Sequence, residues 1–335
     1  MVQNGPSAAK TVDGEPHVVV TGGAGVIGSA MVKRLLPDSP VTIIDNLSSG
    51  TLEHLSEAAN HPHFNFIKGD ISKIKEVAPL MKNAKIVYHF AANADVRFKP
   101  GQPTDLDLIS GTVGTYNILE EMRRNDVEAI VFSSSSTVYG EPDVKPTPES
   151  YGPLMPESLY GASKLACEGL ISAFSATYGL RAWIYRFANI VGSESRTTGK
   201  NVIPDFIGKL RQNKDELVIL GDGTQTKSYL HIDDCIEGML ALMKKEGRVN
   251  IYNLGSKDTI TVREIADIVV DEMHLKEVKY SFTGGKKGWK GDIPYMHLDT
   301  TKATKAGWSA KRNSAEAVRH SARSLIRTAI GYKTK

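Results

Sequence analysis

Residues 18–29, VVVTGGAGVIGS, constrain this chain more than any other stretch. Three β-branched residues, Val18 to Val20, run into a turn holding Gly22, Gly25 and Gly28 at intervals of three, with Val26 and Ile27 between the last two. Behind the turn, Ser29 to Leu36 reads as helix, with Met31, Val32, Leu35 and Leu36 on one face. Strand, glycine turn and helix in that order make a phosphate site. The backbone can approach the phosphates closely, and the helix N-terminus offers unpaired N–H groups and a positive dipole end. Downstream, VTIID from Val41 to Asp45 reads as a second strand ending in an acid. It lies at about the twenty-residue distance at which a carboxylate meets an adenosine ribose. The pair of features predicts a bound dinucleotide. Asp45 favours NAD over NADP, because a carboxylate there repels a 2′-phosphate.

The first half continues to alternate. A polar helix is expected near Thr51 to Ala59, a third strand from Phe64 to Ile71, and a helix around Ile74 to Met81. A fourth strand follows from Ile86 to Ala92, a long helix from Asp105 to Arg124, and a fifth strand from Glu128 to Ser136. Such a βαβ series predicts a mostly parallel, doubly wound sheet. His54, His61 and His63 cluster, but a His-Pro-His loop beside a helix reads as solvent-facing, and no metal is expected.

Bulk properties exclude some partners. The net charge is +3 over 335 residues, too small to argue for nucleic acid or a membrane surface. No apolar run approaches the roughly 20 residues a membrane helix needs. Cys167 and Cys235 lie far apart without metal spacing and read as two reduced, buried thiols of a cytoplasmic protein. Residues 1–16 are polar, lack an apolar segment and read as a flexible leader.

The chemistry sits at strand ends. SSSSTVYG, Ser133 to Gly140, closes the fifth strand with hydroxyls. In SLYGASKLACEG, Ser158 to Gly169, Tyr160 and Lys164 stand at i and i+4 on one helix face. An ammonium and a cationic nicotinamide beside the phenol would both favour its phenolate.

With these motifs in view, the chain resembles the extended short-chain dehydrogenase/reductase family, and within it the nucleotide-sugar epimerases. The likeness runs from about Val18 to Ile330 and rests on TGGAGVIG, IIDNLSSG, KGDI, YHFAA, FSSSSTVYG, YGASK and RFANIVG. It implies a Rossmann-type doubly wound parallel sheet with a smaller C-terminal α/β substrate domain. The cofactor domain would span residues 17–190 and 227–255, and the substrate domain residues 191–226 and 256–335. It also implies tightly held NAD and a homodimer joined by a four-helix bundle. By matching motifs, Asp70 and Ile71 would meet the adenine, Asn46 the ribose edge, and Ala91 and Ala92, with Phe90 beside them, the pyrophosphate. Ser135 matches the family's catalytic serine, Tyr160 its base and Lys164 its ribose-binding lysine.

The activity so implied is 4-epimerisation of a UDP-glucose/UDP-galactose type substrate, extending to N-acetylated sugars, by transient C4 oxidation, rotation of the 4-keto sugar and hydride return. Related dehydratases carry an Asp-Glu pair after the strand-end hydroxyl, and decarboxylases a Glu; Ser136 and Thr137 stand there instead. A non-catalytic NAD-binding protein is the reading from another class. An intact Ser135, Tyr160 and Lys164 argues against it.

The second half carries the substrate residues. RFANIVG, Arg186 to Gly192, reads as a sixth strand, and its Asn189 matches a phosphate-contacting asparagine. Helices are expected over 201–210 and 234–245, with Asp233 and Asp234 placed structurally at the start of the second. VNIYNLG, Val249 to Gly255, would return to the main sheet, and the tail from Thr261 to Ile330 would alternate helices with one loop. Lys227 stands where the family usually has a diphosphate-facing arginine, keeping the charge and losing the bidentate fork. Trp289 replaces a second family arginine, with Lys286, Lys287 and Lys290 nearby. Met296 matches the residue bordering the sugar's C2 substituent.

Overall fold

In the computed structural model, residues 15–93, 101, 103–192, 201–243, 247–289 and 291–331 are described; most of the expected leader and Lys290 lie outside them. The strands begin with β1 (His17–Thr21), β2 (Val41–Asp45), β3 (Phe64–Lys68), β4 (Ala84–His89), β5 (Ala129–Ser135), β6 (Arg181–Phe187) and β7 (Asn189–Val191). They continue with β8 (Glu216–Ile219), β9 (Thr226–Lys227), β10 (Tyr229–His231), β11 (Val249–Leu254), β12 (Ile260–Thr261), β13 (Lys279–Phe282) and β14 (Tyr295–Met296). The α-helices are α1 (Val26–Leu35), α2 (Ile74–Val77), α3 (Gly114–Arg124), α4 (Leu159–Tyr178) and α5 (Val202–Gln212). They end with α6 (Ile232–Leu242), α7 (Val262–Glu272), α8 (Thr301–Lys305) and α9 (Ser314–Gly331).

Seven strands form one parallel sheet in the order β11-β6-β5-β4-β1-β2-β3. Central strands of such a sheet are covered on both faces and so are apolar throughout. β1 and β2 are buried at every position, while the edge strand β3 is only half-buried. Side chains alternate across the sheet. Val18, Val20 and Ile43 therefore enter a core with Met31 of α1 and Met239 of α6, while Val19 and Ile44 enter one with Ile118 of α3 and Ile171 of α4. A third core gathers Phe206, Ile265, Val269 and Val318 from α5, α7 and α9. Strand order reverses between β1 and β4, and ligands of open α/β sheets bind in the crevice at such a point.

Several elements differ from the expectation. The first helix starts three residues early, at Val26, directly on the glycine turn. The expected helix 51–59 is only a 3₁₀ turn, Leu52–Leu55. Thr51 caps the Glu53 N–H and Ser56 donates to the Glu53 carbonyl, so local hydroxyls compete with helix continuation. His54 of this turn does not face solvent: it is buried and bonds the Ala24 carbonyl at 2.8 Å. The third strand stops at Lys68 and the fourth at His89, freeing Asp70, Ile71 and Phe90 to Ala92 as strand-end loops. The expected helix 105–124 is broken, with Leu108–Val113 wound as π-helix before α3. Ser163 of α4 donates to the Asp107 carbonyl at 2.7 Å, taking an acceptor a regular helix would use.

Arg181–Ile184 belong to β6, a strand that starts earlier than expected and ends at Phe187; Asn189 belongs to the separate β7, paired with β10. The helices expected over 201–210 and 234–245 run Val202–Gln212 and Ile232–Leu242. The tail carries strands as well as helices: β13 pairs with β8, and β14 with β9. β11 does return to the main sheet beside β6. Both cysteines are free and buried.

Candidate active site and cofactor cradle

The glycine turn packs backbone on backbone. Gly22 has φ +67°, and a Cβ there would stand 2.6 Å from the Ala91 nitrogen. A Cβ on Gly28 would stand 2.1 Å from the Gly22 carbonyl oxygen, and one on Gly25 at 3.2 Å from the same atom. Gly25 is the N-cap of α1, and its lack of a side chain leaves the first helical N–H groups without a side-chain cap. Val26 and Ile27 form that first turn. Thr21 joins the turn to the end of β4: its hydroxyl meets the Ala91 N–H at 3.2 Å and His89 at 2.6 Å. Phe90, Ala91 and Ala92 thus stand beside the glycines, partly exposed.

Asp45 ends β2 and accepts from the Ala24 N–H at 2.9 Å and the Leu47 N–H at 2.8 Å. It holds the glycine turn and the next loop together, and each oxygen keeps a further lone pair. Asn46 donates to Asp70 at 3.3 Å, which brings the two expected adenosine contacts together. Against the push of burial, hydrogen bonds from Ser72 and Asn46 and the nearby Lys73 hold Asp70 below its ordinary carboxylate value. Ile71 is buried against α3. This glycine cradle, with an acid at the end of β2, fits a dinucleotide.

Helix α4 is capped by Ser158, whose hydroxyl accepts from the Gly161 N–H at 3.0 Å. That cap sets Tyr160 in the first turn, beside Ser135 at the end of β5. Burial raises the Tyr160 phenol above its ordinary value, nearby Asp107 adds to the rise, and the Ser135 hydroxyl opposes it. Lys164 does not point at the phenol. Its ammonium donates to the Ser133 carbonyl at 2.5 Å and lies 5.7 Å from the Tyr160 ring centre. Burial pushes Lys164 down to about 8, against Cys167, Glu168 and Asp107, which favour its charge. His89, buried behind it, is pushed down to about 3 by burial and by Lys164, and so stays neutral.

One cleft, of about 230 Å³, is lined by Ser135, Ser136, Thr137, Tyr160, Asn189, Lys227, Trp289 and Met296. Every candidate substrate residue therefore meets in one place. Lys227 is not free there: its ammonium pairs with Asp292 at 2.5 Å, and Asp292 also accepts from the Gly288 N–H at 3.0 Å. Asn189 interacts with the Tyr229 phenol behind the cleft. Met296 both borders the cleft and packs against the cluster of Val138, Tyr139, Ala188 and Leu298. Lys287 spans the rim, 3.0 Å from Glu157 and 3.5 Å from Glu141.

The sequence reading did not single out Glu157, Phe187 or Asp292 as lining residues. Asp292 carried a signal, the Gly-Asp of its loop, and Phe187 stands within RFANIVG; Glu157 carried none. Asp234, read as structural, is buried and bonds the Arg312 side chain at 3.2 Å. Among the described residues no group of His, Cys, Asp and Glu could hold a metal ion, and no helix is long and apolar enough to cross a membrane.

Residues 18–255 match the NAD dependent epimerase/dehydratase family. A UDP-glucose 4-epimerase of Corynebacterium glutamicum is 33% identical over 265 residues, 75% of this chain and 78% of that one. A dTDP-glucose 4,6-dehydratase of Actinoplanes is 32% identical over 281 residues, 81% of this chain and 86% of the other. The crystal structure of a UDP-galactose 4-epimerase, 37% identical, superposes with a TM-score of 0.82 over 93% of this chain and 99% of its own.

Proposed function

Because the chain belongs to the NAD-dependent epimerase/dehydratase family, we propose that it is a nucleotide-sugar 4-epimerase of the UDP-glucose/UDP-galactose type, an isomerase. The observation that carries the reading is the single cleft joining Ser135 and Tyr160 to Asn189, Lys227, Trp289 and Met296. Bound NAD supplies a hydride acceptor and donor for the sugar carbon. Tyr160 takes the proton of the sugar 4-hydroxyl and later returns it. Ser135 hydrogen-bonds the same oxygen and offers a path for that proton. Lys164 would hold the cofactor ribose, and its positive charge beside the Tyr160 ring would favour the phenolate. Lys227 exchanges Asp292 for the substrate diphosphate, and Asn189 fixes a phosphate oxygen.

Epimerisation is favoured over elimination because Ser136 and Thr137 line the cleft where a dehydratase needs acids. The nearby carboxylates are paired, Glu157 and Glu141 with Lys287 at the rim and Asp292 with Lys227. The two-lobe division and a homodimer across α3 and α4 belong to the same reading. Tyr116 and Tyr178 are 46% and 57% exposed, and Leu108 and Ile109 stand exposed before α3. Such a patch on a monomer suits a second copy. The test is incubation of the purified protein with UDP-, dTDP-, GDP- and CDP-sugars, with products resolved by NMR. A 4-epimer of a UDP-hexose is expected. A 4-keto-6-deoxy sugar or a pentose would assign dehydration or decarboxylation instead, and no product with any donor would revive the non-catalytic reading.

A further inference from the structure

α4 carries a third group toward the strand end that bears the hydroxyls. Glu168, one turn beyond Lys164, is 5% exposed. Its carboxylate takes Arg186 of β6 at 2.7 and 3.0 Å and accepts from the Ser134 hydroxyl at 2.5 Å. Arg186, equally buried, donates onward to the Tyr139 hydroxyl at 2.9 Å, and Tyr139 donates to Asn253 of β11 at 2.8 Å. Three successive residues at the end of β5 are therefore addressed from one helix. Lys164 holds Ser133, Glu168 holds Ser134, and Tyr160 meets Ser135.

A buried ion pair is a costly way to fasten a helix to a sheet. Desolvating each ion costs several kcal/mol, and apolar packing of the same volume often does as well or better. What apolar packing cannot supply is a fixed anion one helical turn from Lys164, or a directed bond to the residue next to Ser135. We propose that Glu168, held by Arg186, is a positioning residue that registers α4 against residues 133–135 and keeps Lys164 charged. The inference rests on the reading that Lys164 holds the cofactor.

The charged and titratable groups facing Lys164 are Asp107 before the π-helix, His89 of β4, and Tyr160, Cys167 and Glu168 of α4. His89 stays neutral, so it does not compete. Removing the charge of Glu168 takes away one of the groups that keep Lys164 protonated. It also leaves the Arg186 guanidinium uncompensated. Both effects lower the pH at which Lys164 loses its proton.

The test follows NAD release from the full-length holoprotein, trapping the freed nucleotide, from about pH 6 to about pH 10. Wild type should release NAD faster above about pH 8, where Lys164 discharges. In Glu168→Gln the acceleration should begin about one pH unit lower, making release near pH 7 roughly fivefold faster and nearly equal to wild type above about pH 9. Glu168→Asp, which keeps the charge, should keep the wild-type midpoint. A uniform acceleration at every pH, an upward shift, or an equal shift in both variants would overturn the inference. Lys164→Met separates the two levels: release matching wild type in rate and pH profile would remove the underlying reading of Lys164 and the inference with it. Should Glu168→Gln fail to fold, Ser134→Ala tests the registering role. It should lower kcat about tenfold with KM and the release midpoint unchanged. An unchanged kcat would overturn that role.

Discussion

In the cofactor cradle, the closest approaches are between backbone atoms. In the sugar cleft, the groups that matter are side chains on loops and short strands. The Gly22, Gly28 and Ala91 contacts leave no room for a single added carbon. The cleft instead holds an adjustable pair, Lys227 with Asp292, and a flexible thioether, Met296, bordering its space. A cradle built from backbone fails abruptly when it is altered. A cleft built from side chains changes its preference before it fails.

The sharpest break in that comparison is Gly28→Ala. Within a helix this exchange normally stabilises by up to about 1 kcal/mol. Here the new Cβ would meet the Gly22 oxygen at 2.1 Å, so NAD content should fall below about a tenth of wild type. Nucleotide released on denaturation measures it. Tyr160→Phe comes next: kcat should fall by roughly 10²–10⁴ with NAD still bound, since the phenol oxygen is not its anchor. Steady-state kinetics beside the same nucleotide assay check both halves.

Lys227→Met should act on the cleft alone. It strands Asp292, 4% exposed, without its cation. A stability loss of about 1–3 kcal/mol is expected, because Lys227 is itself partly solvated. KM for the sugar nucleotide should rise about tenfold at constant NAD content. Thermal melts and kinetics read the two separately. Met296→Tyr should be milder and selective. It should lower kcat/KM for N-acetylated sugars relative to plain hexoses by at least about tenfold, or ~1.4 kcal/mol. Equal loss on both would mean that Met296 serves only the cluster with Val138 and Leu298. The smallest effect is expected at the rim, where Lys287→Ala removes an exposed ion pair with Glu157 and should cost under about 1 kcal/mol.

The same contrast explains what could be read from the residues. The glycine turn, β1, β2 and the Tyr160–Lys164 helix are periodic or spaced by rule, and they stand where the pattern put them. Asp70 and Asn46 were found by motif and do meet. Legibility ended where tertiary contacts override local preference. Ser163 diverts the Asp107 carbonyl and turns expected α-helix into π-helix. His54 looks like a surface residue until the Ala24 carbonyl claims it. The partner of Lys227 lies 65 positions away, and no local pattern couples them. Lys164 matched a ribose-binding lysine beside the phenol, and its bond to the Ser133 carbonyl, 31 positions away, had no local signal.

The central claim is that one cleft oxidises and re-reduces a sugar at C4 without exchanging its hydrogen with solvent. The most direct measurement follows UDP-galactose deuterated at C4 through the purified protein in ordinary water, by NMR. The account predicts UDP-glucose with the deuterium kept at C4, and no product from Tyr160→Phe. Epimer whose C4 deuterium has been replaced by solvent hydrogen, or a 4-keto-6-deoxy product, would contradict it.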